Sequence, residues 1–86
     1  MPVVFVPAIL RALILVDRVD VDCATVGEII DELEGRFPGV SAILVADDDM
    51  APGIAVSIND QVSQMGLMEP VPVDAEVHFL PSISGG

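Results

Sequence analysis

The sequence predicts a small α+β domain: a mixed sheet of about four to five strands with one main amphipathic helix packed on it. Three observations carry that expectation. Apolar residues make up 52 % of the chain while aromatics are only three Phe, so the core is aliphatic, and its Val and Ile excess favours strands. Several short apolar runs alternate with polar residues or end at prolines, as strands do. A single segment, opening at Thr25, joins a helix-start signal to helical apolar spacing.

Taken in order, residues 3–6 are an apolar run between Pro2 and Pro7, read as a buried strand whose hydrogen bonding ends at the prolines. Residues 13–22 pass from continuous apolar into alternation, with Val19 and Val21 on one face and Asp20 and Asp22 on the other, which predicts a half-exposed strand. Thr25 and Glu28 fit a capping box, in which hydroxyl and carboxylate each satisfy a free backbone N–H. Val26, Ile29, Ile30, Leu33 and Phe37 then share one helical face, Asp31, Glu32 and Glu34 lie off it, and Pro38-Gly39 ends the helix. Residues 40–46 suit a turn of helix, and Asp47-Asp48-Asp49 reads as a loop.

Ile54, Val56 and Ile58 alternate with Ala55 and Ser57, and Asn59-Asp60 makes a hairpin turn into a short return at 61–63. Pro70 and Pro72 forbid regular pairing across 65–73. Asp74-Ala75 then turns the chain into a last strand, 76–80, with Val77 and Phe79 on one face and His78 and Leu80 on the other.

With 86 residues the chain holds one domain, expected over 1–81, followed by a flexible tail at 82–86. Fourteen acidic residues face only Arg11, Arg18 and Arg36, for a net charge of -11. That field repels nucleic acid and anionic membranes, and it suits either a protein partner with a basic surface or plain solubility. The absence of lysine admits two readings: a composition bias, or avoidance of amines that would attack an activated carboxyl group on a neighbouring copy.

Cys23 is the one cysteine, so neither an intramolecular disulfide nor a cysteine-only metal site can form; it reads as a small apolar residue before the helix. Asp47 to Asp49 lack the alternation, glycine and distal glutamate of a calcium loop, and the helix carboxylates are dispersed, so no metal site is expected. His78 has no acidic or cysteine partner at a recognisable spacing and reads as a solvent-side strand residue. Arg11 interrupts the early apolar run, so neither leader nor membrane span is expected and the protein reads as cytoplasmic.

Chemistry concentrates at the end. Gly85 and Gly86 follow the apolar run 77–81. Because the two glycines lack side chains, they can thread a narrow enzyme channel, with the adjoining Ser84 and Ile83 behind them, and present the Gly86 carboxyl group. The tail is expected to be mobile. Leu80, Val6, Leu67 and Pro81 are the candidate docking residues, an apolar patch seating the domain on a partner; Leu80 and Val6 read alternatively as core. No glycine-rich phosphate loop with a lysine exists, so the sequence carries no motif of its own for activating that carboxyl group with ATP.

The ending Val77-His78-Phe79-Leu80-Pro81-Ser82-Ile83-Ser84-Gly85-Gly86 and the helix opening at Thr25-Val26 resemble the bacterial sulfur carriers of the MoaD/ThiS type. These have a ubiquitin-like β-grasp and include the molybdopterin synthase small subunit, the thiamine sulfur carrier and the cysteine-synthase-linked carrier. The resemblance spans essentially the whole chain, and Pro7-Ala8-Ile9-Leu10-Arg11 is similar to the opening of the cysteine-linked carriers. It implies a carrier, not an enzyme, with no cofactor of its own. A ubiquitin-activating-like adenylyltransferase would use ATP and magnesium to adenylate the Gly86 carboxylate. A sulfur donor would displace AMP to leave a thiocarboxylate, and a sulfur-accepting synthase would take the sulfur into cysteine, molybdopterin, thiamine or a related compound. Two alternatives remain open: a ubiquitin-like modifier joined through Gly86 to lysines of target proteins, and a β-grasp domain without tail chemistry.

Overall fold

The computed structural model describes residues 1–81; the expectations placed on Ser82, Ile83, Ser84, Gly85 and Gly86 lie outside the described residues. The chain runs β1 (Val3–Phe5), a 3-10 turn at Ala8–Leu10, β2 (Arg18–Asp20), α1 (Val26–Arg36), α2 (Val40–Leu44), β3 (Val45–Ala46), β4 (Asp49–Met50), β5 (Ile54–Ile58), β6 (Gln61–Val62), a 3-10 turn at Gly66–Met68, and β7 (Glu76–Pro81). The main sheet is five-stranded in the order β2-β1-β7-β5-β6, and β3 and β4 form a separate two-stranded ribbon. Within the main sheet only β1 and β7 run parallel. This is the mixed sheet with one main helix expected of a ubiquitin-like β-grasp.

α1 forms where the sequence signals it. The Thr25 hydroxyl oxygen accepts the Glu28 N–H at 3.2 Å, and the Glu28 carboxylate accepts the Ala24 N–H at 2.9 Å, so the box closes one residue before the cap. Val26, Ile29, Ile30 and Leu33 are buried and join Val4, Val19, Val56, Val77 and Phe79 from the sheet in one aliphatic core. Each such side chain contributes about 1.5–3 kcal/mol by leaving water. Phe37, the fifth residue of the expected face, caps the helix and is only partly buried. Two backbone bonds, Val26 N–H to the Glu69 carbonyl at 3.1 Å and Val71 N–H to the Ala24 carbonyl at 2.8 Å, fasten the start of α1 to the irregular 65–73 stretch.

The second strand is shorter than expected. Pairing with β1 covers Arg18–Asp20, and the apolar residues before it turn instead. Pro7 has no N–H to offer a sheet, and the Leu10 carbonyl accepts the N–H groups of Leu13 and Ile14. Leu10 and Ile14 are thereby buried, while Leu15 and Val16 are exposed. The β3–β4 ribbon was not legible as strands because its turn places Asp47 at φ 53° and Asp48 at φ 62°, left-handed conformations that aspartate adopts only occasionally. Asn59 and Asp60, at φ 51° and 69°, make the expected tight turn between β5 and β6.

Candidate functional site

β7 is central in the sheet, flanked by β1 and β5, and it leads directly into the tail. Its pairing with β5 sets Val56 opposite Phe79, Ala55 opposite Leu80 and Ile54 opposite Pro81. The strand therefore runs one residue further than the expected 76–80, since Pro81 sits at its end, where a missing N–H costs no internal ladder bond.

At that end the sheet carries an open apolar groove of 250 Å³, lined by Pro7, Ala8, Ile9, Gly53, Ile54, Phe79, Leu80 and Pro81. Three separate segments build it: the turn after β1, the approach to β5 and the end of β7. Leu80 is 36 % exposed and Ile9 54 %, so apolar surface is open to solvent just where the described chain ends. Of the candidate docking residues, Leu80 and Pro81 line this groove. Val6 does not: at 5 % exposure it belongs to the core, because the alternation that turns Leu80 outward turns Val6 inward beside Phe79. Leu67 is not in the patch either. Partly buried, it lines a different depression with Gly27, Ile30 and Asp31 on the helical side. Sequence reasoning did not place Ile9, Gly53 and Ile54 at the docking patch; Pro7, noted as a strand stop and within the Pro7-Ala8-Ile9-Leu10-Arg11 resemblance, was the available signal.

A row of outward side chains crosses the sheet beside the groove. Arg18, Phe5, His78, Ser57 and Val62 occupy successive paired positions on β2, β1, β7, β5 and β6. The Phe5 and His78 rings stack with centroids 4.5 Å apart, and the Arg18 guanidinium carbon lies 6.0 Å from the Phe5 centroid, so Phe5 takes a cation–π contact as well as a ring stack. Arg11 donates from Nε to the Val6 carbonyl at 3.4 Å and pairs with Asp17 at 3.0 Å. This end of the sheet thus holds two of the three arginines of an otherwise acidic chain.

Cys23 lies elsewhere, in a depression with Met1, Pro2, Asp22, Glu28 and Val73. Burial, reinforced by Glu32 and its neighbouring carboxylates, raises its thiol pKa, which keeps it protonated and weakly nucleophilic. Among the described residues no three His, Cys, Asp or Glu side chains gather into a group that could hold a metal ion, and no helix is long and apolar enough to cross a membrane.

The chain is similar to several solved proteins. A structure of the Amycolatopsis orientalis BexX/CysO complex contains a chain 34 % identical, with 100 % of both chains covered and a TM-score of 0.90. SAMP1 from Haloferax volcanii is 30 % identical over 99 % of this chain and 98 % of its own, with a TM-score of 0.71. Mycobacterium tuberculosis CysO, 24 % identical over 96 % of this chain and 100 % of its own, shares the fold at a TM-score of 0.86. No curated protein sequence matches the chain. The ThiS family model matches residues 4–86, from within β1 through the helix α1 and the rest of the sheet to the diglycine. The chain belongs to the ThiS family, the ubiquitin-like sulfur carriers of the MoaD/ThiS type.

Proposed function

We propose that the Gly86 carboxyl group is the working group of this carrier. A ubiquitin-activating-like adenylyltransferase in the cytoplasm joins it to AMP using ATP and magnesium, and a sulfur donor then displaces AMP to leave a thiocarboxylate. A carboxylate is a poor electrophile, and the mixed anhydride supplies the leaving group it lacks. The observation that carries this reading is the family match running through Gly86, together with a central strand whose last residues, Leu80 and Pro81, line an exposed apolar groove. The groove at Leu80 and Pro81 seats the domain, and Ile83, Ser84 and Gly85 enter the partner's channel. The chain is a co-substrate, or the small subunit of a synthase, and binds no cofactor itself.

Likeness to the CysO of the BexX/CysO complex and the Pro7-Ala8-Ile9-Leu10-Arg11 segment support a cysteine-linked type of carrier that docks on a sulfur-accepting synthase. Likeness to SAMP1 of Haloferax volcanii, a small archaeal modifier protein, favours one second reading: conjugation of Gly86 to lysines of other proteins. The intact mass of chain isolated from its own cells separates them. Replacement of one oxygen by sulfur supports carriage, whereas diglycine remnants on other proteins with no thiocarboxylated chain support modification.

A further inference from the structure

If Gly86 is activated as proposed, the carrier faces a hazard: its own amines compete for the acyl group. The chain has three arginines and no lysine. Arg11 donates from Nε to the Val6 carbonyl at 3.4 Å and from a second nitrogen to Asp17 at 3.0 Å, and Arg36 donates from one nitrogen to the Asp20 carbonyl at 2.9 Å and to Glu32 at 3.4 Å. None of these is the parallel fork on a single carboxylate that an ammonium cannot imitate, and Arg18 above Phe5 makes a contact open to any cation. Guanidinium and ammonium differ here in reactivity. At neutral pH about one lysine in a thousand is a free amine, against ~1 in 100,000 arginines or fewer.

Placement makes the difference matter. Val6, whose carbonyl takes the Arg11 Nε–H, directly follows β1, which is in parallel register with β7; Arg18 pairs with Phe5, and Phe5 with His78. Both arginines therefore sit at the end of the sheet where β7 leads into the tail. Residues 82–86 span at most about 17 Å, enough to bring the Gly86 carbonyl carbon to a side chain at either position. Two of the nucleophiles among the described residues, the terminal amine and the thiol, lie at the opposite end of the sheet. The Met1 ammonium is held by Asp74 at 2.6 Å, and that hydrogen bond raises its pKa; Cys23 shares a depression with Met1. His78 stacks on Phe5, and an acyl-imidazole formed there would hydrolyse rather than persist.

We propose that Arg11 and Arg18 are specificity-determining residues: by supplying positive charge without a nucleophilic amine at the root of the tail, they leave the activated Gly86 acyl group for a partner to take. The reaction they prevent is attack of an amine on the activated carbonyl, forming an amide and expelling the leaving group, AMP or a thiol, with loss of the amine proton. A corollary is that the chain offers no lysine for a second copy to be joined to.

The test rests on the activated state yet needs no activating enzyme. Full-length wild-type, Arg11→Lys and Arg18→Lys chains are prepared as Gly86 thioesters by intein cleavage, incubated at pH 7.5 and followed by intact mass and tryptic mapping. Wild type should pass only to the carboxylate. The lysine variants should also give a product one water lighter, with an amide between Gly86 and the new lysine. At about 10 µM protein this product should form roughly a hundredfold faster than cross-linked dimer, since a tether of a few residues gives an effective concentration near 1 mM. Added free lysine should aminolyse all thioesters equally, which verifies that they are competent. Loss of the variant thioesters by hydrolysis alone at the wild-type rate, or cyclisation of wild type through Met1, would overturn the proposal while leaving sulfur carriage untouched.

Discussion

The Glu34 carboxylate of α1 accepts the Ser41 N–H of α2 at 2.9 Å, and it also takes the Gly39 N–H at 3.2 Å. A side chain of one helix thus caps the next. The two backbone donors, Ser41 first, hold the Glu34 pKa below its ordinary value, because they stabilise the ionised form.

The sign of the pH dependence follows. A carboxylate whose folded pKa is depressed contributes stability that is complete above its unfolded pKa, about 4.3, and that fades as pH falls through the folded value. Glu34→Gln should be less stable than wild type in urea at pH 7. The two proteins should converge below pH ~4, and a gap unchanged at low pH would show that the charge is not what caps α2.

Glycine substitutions should act with opposite signs at two positions. Gly39 lies at φ 107°, and a Cβ there would meet Leu13 Cδ1 at 3.1 Å. Gly39→Ala should cost about 1–2 kcal/mol, lowering Tm by roughly 4–16 °C. Gly35 sits in α1 with nothing within 4 Å of an added Cβ. There, Gly35→Ala should gain ~0.5–1 kcal/mol from helix propensity. Thermal melts of the two variants check both signs.

Val6 and Leu80 should separate folding from docking. Val6→Ala opens the core and should cost about 2 kcal/mol. Leu80→Asp, on the outer face, should cost under ~1 kcal/mol and keep a native circular dichroism spectrum while weakening association with the activating enzyme and the synthase. Unfolding of Leu80→Asp would place Leu80 in the core and remove the groove as a docking seat.

Much of this was legible in the sequence because the informative patterns are local. The Thr25–Glu28 box, the helical spacing from Val26 to Leu33, and the inward Val77 and Phe79 against outward His78 and Leu80 are each set by neighbours a few residues away. What misled was equally physical. An apolar run at Leu13 to Val16 mimics a strand, yet Pro7 and the Leu10 carbonyl had already committed that chain to turning. The groove was illegible because it assembles from Pro7, Gly53 and Leu80, residues far apart in sequence that only the β1–β7–β5 register brings together. Val6 and Leu67 were assigned to a patch by their hydrophobicity, which does not reveal the face on which they lie.

The tail should tolerate no branching. Gly85→Val places a β-branched side chain where a channel shaped for glycine admits none, so ATP-dependent AMP attachment at Gly86 should fall by at least about tenfold, ~1.4 kcal/mol, with Tm unchanged. Pyrophosphate release in the presence of the activating enzyme reads this directly, and wild-type rates in Gly85→Val would mean that the tail is not threaded.

Sulfur carriage at Gly86 is tested most directly by intact-mass spectrometry of the purified chain after incubation with its activating enzyme, ATP, magnesium and a sulfide donor. Wild type should gain the mass of one oxygen exchanged for sulfur, confined to the C-terminal fragment, and a chain lacking Gly86 should be folded and unchanged in mass. Equal conversion of the truncated chain, or sulfur appearing on Cys23 with none at the C-terminus, would contradict carriage at Gly86.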